Sequence, residues 1–436
     1  MLSPYSTSRA PRGPSHSEQP KMHAPHAVCR RLAAGRVVPT AATLALMVTL
    51  LPALGGCNQS RDRGVETTSS AERAPADSSR PADRRRATDR PRGAQVLPID
   101  DAKYLEIGYR RDWTGFPSVP GEHRVADAKL IGTQLFVRAS DSTVSALDTD
   151  TGRMRWAATL STSLTRFAGM AAATLPDGRD TVLVASEAEV YFVDPNTGNI
   201  LDIQRLERVV STGPLVFGST AVFGTLSGEV LAHNFRFGAK FWGHQLPGSI
   251  EYGPTRVGDD IVAGVSAQGG IAFLDPATGR LYGQAKIFQG VSTEPVSDNG
   301  LLFIASLDQA IYAFNPVGGS RVWRVPTPHP LVVQPTAHDG VLYVETREDG
   351  IVALDQQTGQ RLWANAEARG TVVGMRNNKL LSFDGRHIHV LYPRTGAVER
   401  SIRTEGVGRV FTDEFVDGNL YLVGSRGGVA RFVPRG

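Results

Sequence analysis

The sequence predicts an all-β fold, a single β-propeller built as eight four-stranded blades and closed by an N-terminal strand that completes the last blade. Three observations carry this expectation. Turn glycines recur at Gly152, Gly198, Gly238, Gly279, Gly319, Gly359 and Gly396, spaced 46, 40, 41, 40, 40 and 37 residues apart. A repeat of about 40–45 residues has the size of a propeller blade. Each period holds short apolar runs broken by Gly-containing turns and shows no 3.6-residue apolar spacing, which argues against a helical solenoid. Trp recurs four residues after the glycine, at Trp156, Trp242, Trp323 and Trp363.

The fullest copy shows what one repeat does. Val341-Leu-Tyr-Val344 is an apolar run, Arg347-Glu-Asp-Gly350 a polar turn, and Ile351-Val-Ala-Leu354 a second run. Two such runs around a Gly-containing turn read as a hairpin. The turn Asp355-Gln-Gln-Thr-Gly359 follows. In it the Asp side chain can accept backbone N–H groups two residues on, and Gly takes positive φ without steric cost. A third strand then carries Trp363. A large flat ring at a repeated position suits docking between neighbouring units, because no unit can bury its apolar face alone.

Hairpins of this kind start near Gln134, Thr181, Thr220, Asp260, Gly300, Gly340, Lys379 and Asn419, which makes eight. The last leaves no room for its outer strand before the C-terminus. The stretch from Tyr104 to Trp113 precedes the first hairpin, and its composition and Trp suit an outer strand. It is expected to pair with the last blade, because closure hides the edges of an open sheet. Seven blades are the alternative, since the copy ending at Gly238 is divergent.

Residues 1–57 read as a lipoprotein signal peptide, 58–95 as a disordered tether and 96–436 as the propeller. Arg30, Arg31 and Arg36 precede the apolar run Thr43–Leu54, which leads into Gly55-Gly56-Cys57. A basic stretch, a short apolar stretch and small residues before a cut point describe a secretory signal. Cys57 directly after small residues resembles a bacterial lipoprotein signal, and the resemblance implies cleavage before Cys57 and lipidation there. A start at Met22 would give a more ordinary basic region. Residues 58–95 are rich in Ser, Arg, Asp, Pro and Ala, and such a composition cannot bury enough apolar surface to offset ordering entropy.

The chain has a formal charge of +4. Residues 1–57 contribute +5 and residues 58–95 +3, leaving the propeller about −4. The basic balance is therefore no footprint for nucleic acid. The two cysteines are Cys29 and Cys57, so the propeller holds neither a disulfide nor a thiolate metal site.

The repeat Ala-x-Asp-x-x-Thr-Gly-x-x-x-Trp resembles the blade motif of the pyrroloquinoline-quinone-like (PQQ-like) propeller family. It stands in full, or with one or two departures, around Asp148, Asp194, Asp275 and Asp355, and in degenerate form at Asn234, Asn315 and Tyr392. An eight-bladed lipoprotein without further domains is similar to the lipoprotein subunits of the outer-membrane β-barrel assembly machinery. That resemblance implies a non-catalytic, membrane-anchored scaffold at the outer membrane facing the periplasm. It would bind other envelope proteins, a barrel-inserting outer-membrane protein among them. The alternatives are a PQQ-dependent oxidoreductase-like protein and a cell-surface ligand or polysaccharide sensor.

No catalytic, cofactor-binding or metal-binding residues are expected. A quinone enzyme of this fold would need a hard cation held by oxygens, a carboxylate base and often a vicinal cysteine pair or a haem-attachment motif. The repeated acids Asp148, Asp194, Asp275 and Asp355 are accounted for by turns, as are Asp308, Asp349, Gly269-Gly270 and Gly427-Gly428. His387 and His389 could point to one side of a strand, but a third ligand nearby in sequence is not evident, so they are read as structural. The off-repeat aromatics Phe237 and Phe241 and the segment Pro326–Pro330 are the expected contact surface.

Overall fold

Each forty-residue repeat becomes one four-stranded antiparallel sheet, and there are eight of them. The computed structural model describes residues 95–435. Cys57, the signal segment and the tether up to residue 94 lie outside the described residues. Blade 1 comprises Val125–Ile131, Gln134–Ala139, Thr143–Asp148 and Met154–Thr159. Blades 2 to 7 begin at Phe167, Leu215, Thr255, Val296, Thr336 and Thr371. Among the described residues no helix is long and apolar enough to cross a membrane.

The eighth blade closes the ring. Its first three strands are Val407–Thr412, Leu420–Gly424 and Val429–Pro434, and its outer strand is the N-terminal Tyr109–Gly115. The pairing runs antiparallel from Tyr109 opposite Pro434 to Gly115 opposite Val429. The expected closing strand is thus present, with one correction to its extent. Tyr104 and Leu105 belong to a short helix, Asp101–Glu106. Asp100 caps it by accepting the Ala102 N–H at 3.2 Å, as an N-cap acid does. Tyr104 is buried and stacks on Phe432 with centroids 4.2 Å apart. Burying that ring between blades 7 and 8 outweighs the strand character of the local sequence.

Burial sorts the strands by position. The second and third strands of most blades are buried along almost their whole length, whereas outer strands alternate. Inner strands touch their neighbours around the axis. They are also tied by side chains, as in Thr255 Oγ1 to Pro295 O at 2.9 Å and Thr336 Oγ1 to Val372 O at 2.7 Å.

The blades dock through one repeated contact. The Trp113 indole N–H donates to Thr149 O at 2.7 Å, Trp156 to Pro195 O at 2.8 Å, and Trp242 to Pro276 O at 3.0 Å. Trp323 donates to Gln356 O at 2.8 Å and Trp363 to Pro393 O at 2.7 Å. Each ring lies against the turn glycine of the next blade: Gly152, Gly198, Gly279, Gly359 and Gly396 respectively. A Cβ on Gly152, whose φ is +68°, would stand 2.4 Å from Trp113. The glycine is needed both for the turn and for the ring above it.

Three of the eight junctions lack the Trp. Between blades 7 and 8 Arg400 stands in its place and pairs with Glu106, and the other two solve the problem differently. Between blades 2 and 3, Gln204 lies under Gly238 and donates to Phe235 O at 3.0 Å. Between blades 4 and 5 the Trp position is Gly283, and backbone meets backbone: Gly318 N–H donates to Tyr282 O at 3.0 Å. A Cβ on Gly283 would stand 2.3 Å from Gly319 N. Gly283→Ala is therefore expected to destabilise by about 1–3 kcal/mol, the usual cost of overpacking, measurable as a lower urea midpoint at unchanged slope. A wild-type midpoint would show that the two backbones can part freely.

Candidate functional site

Because each blade is an antiparallel meander, its turns fall on two faces. The turns between first and second and between third and outer strands share one face, here the turn face. The turns between second and third strands and the connections to the next blade share the other, the connector face.

On the turn face sit the repeated acids. Asp148 Oδ1 accepts the N–H groups of Asp150 and Thr151 at 3.1 and 3.0 Å and the Thr151 hydroxyl at 2.9 Å. Asp355 repeats this with Gln357 and Thr358, and Asp194 and Asp275 accept the two N–H groups equivalently. The Arg155 side chain first, then the Thr151 hydroxyl and N–H, hold the Asp148 carboxyl below its ordinary range against the opposing effect of burial. The Thr358 hydroxyl and N–H do the same for Asp355. The degenerate copies keep part of the device, since Asn234 and Asn315 each accept one N–H. Hydrogen bonds within the turn occupy these groups.

The connector face is different in chemistry. Leu164, Val209, Phe288 and Val332 lie in connections between blades, and Leu226 lies in the second-to-third turn of blade 3; all five are exposed. Leu164 is 89% and Phe288 85% exposed. Val209 and Leu226 line one hollow of about 530 Å³ with Arg208 and Glu229. Apolar side chains held out on stitched loops are a feature that water does not favour. The loops are fixed rather than free: Ser292 Oγ donates to Leu331 O at 2.9 Å, and Asp308 Oδ2 accepts the Phe288 N–H at 3.0 Å.

The aromatics and segment singled out in the sequence do not come together. Phe237 lies exposed on a turn-face loop of blade 3 and Phe241 on that blade's outer strand. Pro326 ends an outer strand, and the residues after it run onto the connector face, where His329 Nε2 meets Glu348 Oε1 at 3.0 Å. Leu164, Val209, Leu226 and Phe288 were missed, because single apolar residues in irregular connections have no periodicity to mark them.

The histidine pair also needs correction. His387 and His389 share one side of the strand His387–Leu391 of blade 7, and a third group does lie nearby in sequence. Asp384 directs Oδ2 to His387 Nδ1 at 3.3 Å and to His389 Nε2 at 3.1 Å. Its Oδ1 accepts the N–H groups of Arg386 and His387 at 2.7 and 2.5 Å. Burial alone would raise the Asp384 pKa, but these N–H groups and the two imidazoles bring it down to about 2. The signal was available: Asp at a turn accepts N–H groups two and three residues on, which places it beside the first strand residue.

Comparison with known proteins supplies the relation. The profile described as outer membrane protein assembly factor BamB matches twice, over residues 119–280 and 267–432. The structure is similar to the crystal structure of BamB from Moraxella catarrhalis, with a TM-score of 0.59 and 16% identity over 74% of this chain and 99% of that one. It is similar to the computationally designed Ika8 protein, at a TM-score of 0.57 and 16% identity over 73% of this chain and 100% of that one. The C-terminal WD40 domain of Sif2 gives 0.57 and 12% over 75% and 99%. At these identities the structural likenesses speak for the fold. No curated protein sequence gives a significant match. The propeller with its Trp-on-Gly junctions, matched by the profile over most of its length, belongs to the family of PQQ-like propellers described as outer membrane protein assembly factor BamB.

Proposed function

We propose that this protein is a non-catalytic scaffold of the cell envelope, anchored by lipid at Cys57 and holding a barrel-inserting outer-membrane protein through its connector face. The observation that carries this reading is the set of exposed apolar side chains, Leu164, Val209, Leu226 and Phe288, on hydrogen-bonded loops of one face. Family membership supports the assembly role, since the related protein's description names outer membrane protein assembly. The sequence around Cys57 supports the anchor, and Asn58, which is not Asp, is compatible with export to the outer membrane.

The test is cross-linking in intact cells followed by purification and mass spectrometry. A barrel-inserting outer-membrane protein should be enriched with the wild type. Leu226→Asp with Phe288→Asp should reduce that recovery at least tenfold at an unchanged melting temperature, because both side chains are already in water. In the same cells a palmitate label should enter the wild type and be lost in Cys57→Ser. Equal recovery of the partner with both Asp substitutions would move the contact off this face, and a clean preparation would remove the scaffold reading.

A further inference from the structure

The group Asp384, His387 and His389 lies on the connector face but is not among the apolar side chains argued above, and nothing in the repeat requires it. Their donor atoms all lie within 4.8 Å of one another. Around a tetrahedral ion bound at about 2.0–2.1 Å, neighbouring donors stand about 3.3 Å apart. The His387 Nδ1 and His389 Nε2 atoms stand 3.3 and 3.1 Å from Asp384 Oδ2. The two edges that meet at Asp384 Oδ2 are therefore already spaced as in such a site, and the two imidazole donors lie within 4.8 Å of each other.

Two of the three donors are held from behind. Asp384 Oδ1 is engaged by two backbone N–H groups, which leaves Oδ2 to face the rings. The other nitrogen of His389, Nδ1, lies 2.7 Å from Ser401 Oγ on the neighbouring strand. A hydrogen bond on the far ring nitrogen sets the tautomer and ring orientation of a metal-bound histidine. His389 is buried between strands, while His387 stands at the surface. An ion has a rigid floor and an open approach. Asp384 also borders a hollow of about 520 Å³ with Val332, Gln334 and Arg369.

We propose that Asp384, His387 and His389 bind a divalent first-row transition-metal ion of the Zn²⁺ class at the connector-face turn of blade 7. Two imidazoles and one carboxylate suit Zn²⁺, Co²⁺ or Ni²⁺ better than Ca²⁺ or Mg²⁺, which prefer all-oxygen shells. Three protein ligands leave a fourth position for water or for a side chain of a bound protein. This site does not depend on the scaffold reading.

The experiment uses the purified full-length protein, stripped with a chelator and titrated with ZnCl₂ by calorimetry, and with Co²⁺ by visible absorption. One equivalent should bind saturably, and Co²⁺ should give the absorption of a four-coordinate nitrogen and oxygen site. His387→Ala and Asp384→Asn should each weaken Zn²⁺ binding at least tenfold and abolish the Co²⁺ band. Asn keeps an oxygen for the turn N–H groups, and His387 is at the surface, so both variants should retain the wild-type circular dichroism. Failure to bind one equivalent overturns the proposal. So does binding that is unchanged in both variants, which would place the metal on other histidines such as His123 and His329.

Discussion

Trp113→Ala is expected to destabilise the propeller by about 3–5 kcal/mol, the range for removing a large buried aromatic. Trp113 is 9% exposed, whereas its counterparts Trp156, Trp242 and Trp363 are only half-buried. It packs edge-on against Tyr421, lies against Gly152 and donates to Thr149 O. Those contacts join the two ends of the chain as well as blade 8 to blade 1. The measurement is urea unfolding of Trp113→Ala beside Trp156→Ala. The closure variant should lose more, and a smaller loss at Trp113 than at Trp156 would sink the idea that this junction dominates.

Arg376→Met should cost about 2–3 kcal/mol at neutral pH, through the loss of three part-buried, charge-assisted hydrogen bonds from one guanidinium. The Arg376 side chain is 9% exposed. Its Nε donates to Gly108 O at 3.0 Å, Nη1 to Asp417 Oδ1 at 2.9 Å, and Nη2 to Arg435 O. One guanidinium thus holds the segment entering the closing strand, the segment leaving the last strand, and a turn of blade 8. Asp417 is half in solvent, which discounts the ionic part of this cost. The Asn377 N–H and then Arg376 hold the Asp417 carboxyl below its usual 3.8. A carboxylate depressed in the folded state contributes stability that is full above the unfolded value and is lost as pH falls through the folded value. The penalty of Arg376→Met should therefore be largest above about pH 4 and shrink below it. A penalty independent of pH from 7 to 2 would separate Arg376 from Asp417 energetically.

Much of this fold was legible because the repeat writes its junctions in type as well as position. A Trp four residues after a turn Gly can be seen in one dimension, and so can the missing outer strand of the final blade. What was hidden is what departs from the repeat. Gln204 replaces a Trp by reaching one carbonyl of the next blade, and Gly283 replaces one by having no side chain at all; neither substitution resembles Trp. The helix Asp101–Glu106 was hidden because Tyr104 and Ile107 are bound for an inter-blade cleft that only the closed ring creates. Asp384 was legible from its turn position but passed over, because an acid in a turn is ordinary until the strand places two imidazoles over it. The proposed contact face was least legible, since Leu164 and Phe288 are lone apolar residues in connections that do not repeat.

The pairing of Tyr109–Gly115 with Val429–Pro434 also sets a clock. Asp112 and Arg431, bonded at 3.3 Å, are 319 residues apart. The entropy of closing so long a loop grows only as its logarithm, so the native state bears little extra cost. Time is another matter, because contacts this remote in sequence form slowly. The first strand of the propeller to leave the ribosome must wait for the last to be released. Until then blades 1 to 7 are an open stack, and the final blade lacks its partner strand. Loss of even the last eight residues, 429–436, would leave the chain in that state permanently.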